Sequence, residues 1–217
     1  LIEGVCHAAP DCRVRLGSLE PRTVTEDFCR RAAALDNLCP HFHLSMQSGC
    51  DAVLKRMNRK YDTARFYESV ALLRTWFDRP GITTDLIVGF PGETEEEFGQ
   101  TLDFIRKCAF SAMHIFPYSR RPGTPAAKMP GQVSNAVKEE RAHRAAQAAQ
   151  AMQRAYLESW VGETVPVLFE EEREGLWRGH TTRYCEGAVS SRADLHNQVR
   201  ALKVERVEGT ALAGTLV

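Results

Sequence analysis

The sequence predicts an α/β domain followed by a smaller all-β domain. Up to about residue 118, short apolar runs rich in β-branched and aromatic residues alternate with segments of helical period. This alternation is typical of βα units around a parallel sheet, open or closed into a barrel. Beyond Trp160, short strands and turn signals follow one another without a helical segment, which indicates a small OB-like barrel.

The α/β part contains four strand candidates, which we place at 13–19, 42–47, 82–89 and 112–118. The helix candidates between them lie at 25–38, 51–58, 63–78 and 95–108. In the helix that opens near Thr63, apolar residues at positions 66, 70, 73 and 77 form one stripe. Such a stripe predicts a face buried in the core.

The third strand runs through Gly89-Phe90-Pro91-Gly92 into four carboxylates. Thr94 followed by Glu97 has the capping-box spacing, in which each side chain bonds the backbone amide of the other residue. Glu95 and Glu96 then face the positive end of the helix dipole. The acidic run is therefore expected to start a helix and not to catalyse a reaction.

The second half of the chain changes in character. RRPGTPAAKMPGQ, from Arg120, predicts an irregular surface loop, and an alanine- and glutamine-rich helix follows at about 134–159. VPVLF alternates in polarity, while REG and VEG supply turn signals. We therefore divide the chain into 1–133, a linking helix at 134–159, and a β domain at 160–217.

Composition excludes several classes of protein. With 43% hydrophobic and 26% charged residues the chain is typical of globular proteins. It has no apolar run long enough for a membrane span and no signal peptide, so no membrane partner and a cytoplasmic location are expected. The seven cysteines form no CxxC or CxxxCxxC motif, and we interpret them as free thiols. Because Leu1 is not an initiator methionine, the chain is expected to be a piece of a longer protein.

The formal net charge of zero hides two basic clusters. From 120 to 154, seven Lys or Arg residues stand against two Glu, a local net charge of +5. KRMNRK, which contains Arg59, is the second cluster. Either cluster could meet phosphates, or could be a solvated helix face.

Polar residues and glycines stand at the strand ends, where βα proteins bind their ligands. Glu20 follows the first strand, Gln47 and Ser48 end the second, and Gly89 and Gly92 follow the third. Singly these residues could cap a helix, satisfy backbone groups or form turns. Together they predict a ligand site, with a phosphate cradle at the glycine turn as an alternative.

Four ordered motifs resemble one family. RLGSLEP, HLSMQSGCDAVLKRMNRKY, DLIVGFPGET and SRRPGTPAAKMP look like the later half of the radical S-adenosylmethionine methylthiotransferases, and the terminal β segment looks like their RNA-binding TRAM domain. QSGC with KRMNRKY resembles the type that modifies threonylcarbamoyladenosine in tRNA. The family's relatives that act on a ribosomal protein typically carry a histidine after the glutamine.

The resemblance implies a partial (β/α) barrel of the radical-SAM type whose N-terminal strands are missing here. It implies S-adenosylmethionine and 4Fe-4S clusters as cofactors of the whole enzyme, with cluster ligands outside this chain, and a reductant protein as a partner. The implied reaction adds a methylthio group to C2 of the modified adenosine next to the anticodon. The fragment alone is expected to be inactive.

Site residues carried over by motif are candidates for cofactor binding: Glu20, Gln47, Ser48, Ile87, Gly89 and Gly92. Asp85 stands where the family's adenine-side motif has its first glycine. The resemblance implies tRNA as partner, although 160–217 holds seven Lys or Arg against nine Asp or Glu. Candidates for RNA contact are Arg59, Arg120, Arg121, Trp177, Arg178, Arg183 and Tyr184, with a core role open for Trp177. A stand-alone RNA-binding module is the alternative function.

Overall fold

The computed structural model describes residues 1–217 and consists of two compact units. The first, which we call the sheet unit, comprises Gly17–Ala34 and Phe42–Met152. The second, the barrel unit, comprises Leu1–Leu16, Leu35–His41 and Gln153–Val217.

The sheet unit contains a four-stranded sheet with the order β1-β2-β3-β4. Its strands are β1 (Ser18–Leu19), β2 (His41–Gln47), β3 (Gly81–Val88) and β4 (Ala112–Pro117). β1 pairs with β2, and β3 with β4, in parallel. The expected parallel α/β architecture is confirmed for this part of the chain. β1 is much shorter than predicted, because Val14 forms an isolated bridge with Leu38 in the barrel unit instead.

Helices precede, connect and follow these strands. They are α1 (Ile2–Ala8), a 3-10 turn (Pro21–Thr23), α2 (Glu26–Ala33), α3 (Asp51–Arg56), α4 (Thr63–Trp76), α5 (Glu95–Cys108), α6 (Pro125–Lys128) and α7 (Asn135–Glu158). α2 ends five residues before the predicted end at 38, since the segment Leu35–His41 packs in the barrel unit. α6 lies in a stretch predicted to be irregular; Thr124 caps it and Pro125 occupies its first turn.

The core of the sheet unit lies between the sheet and α4 and α5. On β2, Phe42, Leu44 and Met46 are fully buried, whereas the residues between them are partly exposed. Phe66 of α4 and Phe98 of α5 are also fully buried. One face of the sheet is therefore covered by helices, and the other is the more open face.

The start of α5 confirms the predicted capping box. The Thr94 hydroxyl accepts from the Glu97 amide at 3.2 Å, and the Glu97 carboxylate accepts from the Thr94 amide at 3.0 Å. The side chains of 98, 102 and 105 form the buried stripe of this helix. Local sequence alone thus determines where α5 begins.

The barrel unit contains a closed five-stranded barrel in the order β5-β6-β7-β9-β8. Its strands are β5 (Thr164–Arg173), β6 (Leu176–Thr181), β7 (Glu186–Val189), β8 (Gln198–Glu208) and β9 (Ala211–Leu216). At the REG signal, β5 and β6 are joined by a hairpin with a two-residue loop. Glu174 and Gly175 form this loop, and both have positive φ, as a type I′ turn requires. The predicted all-β character is confirmed. No helix in either unit is long and apolar enough to cross a membrane.

Candidate functional site

The carboxyl ends of the strands in the sheet unit bring together the segments that the sequence singled out. Glu20 follows β1, Gln47 ends β2, and Gly89 and Tyr118 directly follow β3 and β4. Because helices connect successive strands, these ends lie along one edge of the sheet. The Glu20 carboxylate accepts a 3.0 Å hydrogen bond from Arg22 and is 40% exposed, so it stays open to a ligand.

The open face of the sheet carries a polar group that the sequence reading missed. The His43 ring bonds Thr83 through Nδ1 at 3.0 Å and lies 3.3 Å from the Asp85 carboxylate through Nε2. The His114 ring is 6.1 Å from that of His43, centroid to centroid. Phe116, two residues further along β4, is 51% exposed. This face offers both hydrogen-bonding groups and an aromatic surface to a ligand.

The alternation of apolar and polar residues along the strands was the sequence signal that could have predicted this polar face. On β2, His43 and Gln47 alternate with the buried apolar residues. On β3 and β4, Asp85 pairs with His114 and Ile87 with Phe116. Gln47 and Ile87, two predicted cofactor residues, therefore share a face with the histidines. The fold places these residues on one face of the sheet, although no local sequence motif links their positions.

Gln47 and Ser48 differ in their surroundings. Gln47 is partly buried and has a positive φ of 69°, an uncommon conformation for a residue with a side chain. Ser48 is fully buried, and its hydroxyl accepts from the Cys50 amide at 3.2 Å and lies 3.4 Å from the Thr101 hydroxyl. The Ser48 hydroxyl is thus engaged with the protein, whereas the Gln47 side chain follows a backbone conformation that few residues other than glycine adopt.

The glycine turn after β3 is fastened to α7 by a buried ion pair. The Glu93 carboxylate accepts from the Gly89 amide and from Arg141, each at 2.8 Å. The side chains of Glu93 and Arg141 are 1% and 5% exposed. Burial raises the pKa of Glu93, while the Gly89 amide and Arg141 act in the opposite direction. A buried pair of this kind locks the turn in one geometry.

This arrangement argues against the phosphate cradle. The Gly89 amide donates to Glu93, and the Gly92 amide donates to the Gly131 carbonyl at 2.8 Å. Neither amide is available to an anion, and the buried carboxylate would repel one. Gly89 is required because its φ is +70° and because a Cβ there would collide with Cγ of Lys138.

The basic cluster KRMNRK divides into structural and open members. Arg56 forms two hydrogen bonds with Glu97, at 2.9 and 2.5 Å, and this contact lowers the pKa of Glu97. Lys55 and Arg59 are exposed. In the basic cluster from 120 to 154, Arg120 and Arg121 are exposed, and the Arg120 Nε donates to the Ala127 carbonyl at 2.8 Å.

The barrel unit carries an aromatic and basic group around Tyr184, which we call the Tyr184 cluster. The Tyr184 ring stacks on His180 at 4.5 Å, lies 5.2 Å from His41, and has the Arg15 guanidinium at 4.0 Å. Tyr184 is 47% exposed. Arg15, His41 and His180 come from three separate stretches, so the sequence reading found only Tyr184.

The other candidates for RNA contact in the barrel unit are less open. Trp177 is 8% exposed and belongs to the barrel core, in agreement with its alternative core role. Arg178 pairs with Glu186 at 2.9 Å. The Arg183 guanidinium packs over the ring of Trp160 at 4.7 Å. Both arginines retain partial exposure, but their charge is already engaged with neighbouring groups.

The cysteines do not form a cluster site. Six are buried and Cys12 is exposed, and no three His, Cys, Asp or Glu side chains gather where they could hold a metal ion. Burial raises the pKa of Cys108 to about 12 and that of Cys29 to about 11. Such thiols are poor sources of the thiolate that binds iron, so the residues present do not fit an iron–sulfur cluster.

Comparisons with known proteins agree with the motifs. Residues 3–105 match the Radical SAM superfamily. The chain is 36% identical over 197 residues to the threonylcarbamoyladenosine tRNA methylthiotransferase MtaB of Bacillus subtilis; the aligned region is 88% of this chain and 44% of that protein. It is 44% identical over 156 residues to the tRNA-2-methylthio-N(6)-dimethylallyladenosine synthase of Mycolicibacterium paratuberculosis; here the aligned region is 72% of this chain and 30% of that protein.

A solved structure supports the fold. Coproporphyrinogen III oxidase (HemN) from Escherichia coli, a radical SAM enzyme, matches with a TM-score of 0.54 and 17% identity over 70% of this chain and 37% of its own. The chain spans less than half the length of the curated relatives it matches. In its four ordered motifs, in the Radical SAM match and in these relatives, the chain is similar to part of the radical S-adenosylmethionine tRNA methylthiotransferases.

Proposed function

We propose that this chain is part of an enzyme that adds a methylthio group to C2 of a modified adenosine next to the anticodon of tRNA. Residues 1–133 would be the later part of its radical-SAM barrel, 134–159 a linking helix, and 160–217 a TRAM domain. The observation that carries the proposal is the open face of the sheet, where Gln47 and Ile87 share one surface with His43 and Asp85. The names of the relatives support the reaction and the substrate class.

The strand ends supply what S-adenosylmethionine needs from a protein. When bound, this cofactor supplies the methyl group and a reactive sulfonium. Glu20 would hold its ammonium group or ribose hydroxyls, and the Gln47 amide would bind the ribose. The backbone at Ile87 would face the adenine. Gly89 and Gly92 would shape the wall indirectly, because their amides already bond within the protein.

The adenosine to be modified would lie against the same open face. Asp85, whose carboxylate is 29% exposed, would present an acceptor to the edge of a purine, and Phe116 would present an exposed ring for stacking, while both ring nitrogens of His43 are engaged within the protein. The modified adenosine would be of the threonylcarbamoyl or the dimethylallyl type, since relatives that act on each of them match this chain. The 4Fe-4S clusters would be held by residues outside this chain, and a reductant protein would be a partner of the whole enzyme.

Contacts with the rest of the tRNA would come from exposed arginines and from the Tyr184 cluster. Arg59, Arg120 and Arg121 are exposed on the sheet unit. In the barrel unit, Arg15 and His180 add charge and ring surface beside Tyr184. Arginines that meet phosphates and rings that meet unpaired bases are the usual means of single-stranded RNA recognition.

Calorimetric titration of the chain with S-adenosylmethionine tests the cofactor site. Gln47→Asn shortens the amide and tolerates a positive φ, so it should weaken binding by about threefold to tenfold, the value of one hydrogen bond. Glu26→Gln, an exposed change on α2, is the matched control and should leave binding unchanged. Equal binding by all three proteins would contradict the assignment of Gln47.

Filter binding with synthetic anticodon stem-loops tests the RNA substrate. Stem-loops that carry threonylcarbamoyladenosine, dimethylallyladenosine or unmodified adenosine differ in one nucleotide only. Tighter binding of one modified form is expected, and it would identify the type. Equal binding of all three, and of a hairpin without the adenosine, would contradict recognition of this base.

The Tyr184 cluster favours one alternative, a module that binds RNA without a role in catalysis. On this reading, binding would depend on Tyr184 and Arg15 and fall with salt, as phosphate contacts require. It would be unaffected by changes at Glu20 and Gln47, and S-adenosylmethionine would not bind. Gln47→Asn in the two assays above therefore separates the two functions.

A further inference from the structure

A pocket of about 320 Å³ opens at the carboxyl end of β4, and we call it the β4-end pocket. It is lined by Pro117, Tyr118, Ser119, Arg120, Asn135, Lys138 and Glu139. All of these residues belong to the sheet unit. Its volume is at the lower end of the range found for ligand sites.

Lys138 is the unusual member of this pocket. The residue is only 8% exposed, and its stem packs on Gly89, where a Cβ would collide with it. Its ammonium lies 5.3 Å from the centroid of the Tyr118 ring and makes no hydrogen bond or ion pair with the protein. No carboxylate pairs with this ammonium, so its positive charge is available to a ligand that enters the pocket.

A second buried group in the pocket also lacks a partner. The Tyr118 hydroxyl is buried and forms no hydrogen bond, although buried hydroxyls almost always do. Tyr118 and Lys138 line the same pocket, so one acceptor could engage both. A ligand with several acceptor oxygens meets this requirement.

Arg120 completes the pocket. Its Nε donates to the Ala127 carbonyl at 2.8 Å, which holds the guanidinium in place and leaves its two terminal nitrogens for a ligand. Glu139, the only carboxylate of the lining, is exposed. Two cations against one exposed carboxylate give the pocket a net positive charge.

We propose that the β4-end pocket binds one phosphate group of an RNA backbone, through Lys138, Arg120 and the Tyr118 hydroxyl. A phosphate has enough oxygens for all three donors. The residues from 120 to 154 carry a net charge of +5, which suits a polyanion better than a single small acid. The proposal rests on the proposed function for the source of the phosphate, but not for the site itself.

The first arm of the test measures the affinity for an anticodon stem-loop over a salt series. Lys138→Met keeps the apolar stem on Gly89 and removes the charge. It should weaken binding about tenfold at low salt and reduce the slope of log affinity against log salt by about one. The matched control is Lys107→Met, an exposed lysine on α5 outside both the pocket and the 120–154 cluster, which should change neither. Lys138→Arg should restore both.

The second arm uses inorganic phosphate without RNA. Phosphate should raise the melting temperature of the wild type more than sodium chloride of equal ionic strength does, and Lys138→Met should lose this difference. If Lys138→Met loses the phosphate effect but binds RNA like Lys107→Met, the RNA source is wrong. If Lys138→Met matches Lys107→Met in both arms, the site itself is wrong. If the wild type binds no RNA, the proposed function fails, and the phosphate arm still decides whether the site exists.

Discussion

The buried pair of Glu93 and Arg141 should be the most sensitive point of the sheet unit. Arg141→Met removes the cation and leaves the Glu93 carboxylate, 1% exposed, with the Gly89 amide and no charged partner. Breaking a buried pair by removing one partner costs about 3–5 kcal/mol. We expect the free energy of unfolding to fall by this amount near neutral pH.

The same helix offers a control. Arg144 pairs with Glu95 at 2.6 Å, but the two side chains are 36% and 60% exposed. Because exposed ion pairs contribute about 0–1 kcal/mol, Arg144→Met should cost little. In the double variant Glu93→Met/Arg141→Met, neither charge remains. Most of the free energy of unfolding that Arg141→Met alone loses should therefore be recovered.

The cost of Arg141→Met should also depend on pH. Burial already raises the pKa of Glu93, and loss of the cation raises it further. A group whose folded-state pKa is raised binds its proton more tightly when folded, so stability is present at low pH and is lost as pH rises through the folded-state pKa. The deficit should therefore be smaller at about pH 5 than at about pH 8.

Urea unfolding at both pH values, followed by circular dichroism, measures these differences. The two units can unfold separately, so the transition of the sheet unit must be resolved before a free energy is assigned. Equal costs for Arg141→Met and Arg144→Met would refute the role of burial. A deficit of Arg141→Met that does not change with pH would refute the account of Glu93.

Three further changes test other parts of the structure. Thr94→Ala removes the cap of α5 and should cost about 1 kcal/mol in urea unfolding; an unchanged midpoint would contradict the capping box. Gly89→Ala should cost at least about 1 kcal/mol, because φ is +70° and the Lys138 stem must move; a stabilised variant would contradict this packing. Iodoacetamide should modify exposed Cys12 first and Cys108, whose pKa burial raises to about 12, only on unfolding; mass spectrometry showing early modification of Cys108 would contradict its burial.

Features set by neighbours in sequence were predictable. The capping box needs only Thr94 and Glu97, and it lies where the spacing predicted it. The REG hairpin likewise needs only a turn in which Gly175 tolerates a positive φ. Both depend on interactions over a few residues, so no tertiary contact is required to place them.

Features that depend on register or on distant segments were not predictable. Alternation assigns His43 and Asp85 to one side of their own strands, but their 3.3 Å approach depends on how β2 and β3 align. Tyr184 could be chosen as an aromatic residue, whereas Arg15 and His180 reach it only through the fold. Helix boundaries such as the early end of α2 reflect packing in another unit.

The glycine turn shows how tertiary contacts change a functional assignment. The sequence suggested that Gly89 and Gly92 form the wall of a ligand site, and their positive φ values fit that view. In the structure their amides donate to Glu93 and Gly131, so the turn binds protein groups first. Glu93 is not presented to a ligand either, because its side chain is 1% exposed and is paired with Arg141. The turn therefore fixes the position of β3 and α7, and the search for direct cofactor contacts should begin at Gln47 and the open face of the sheet.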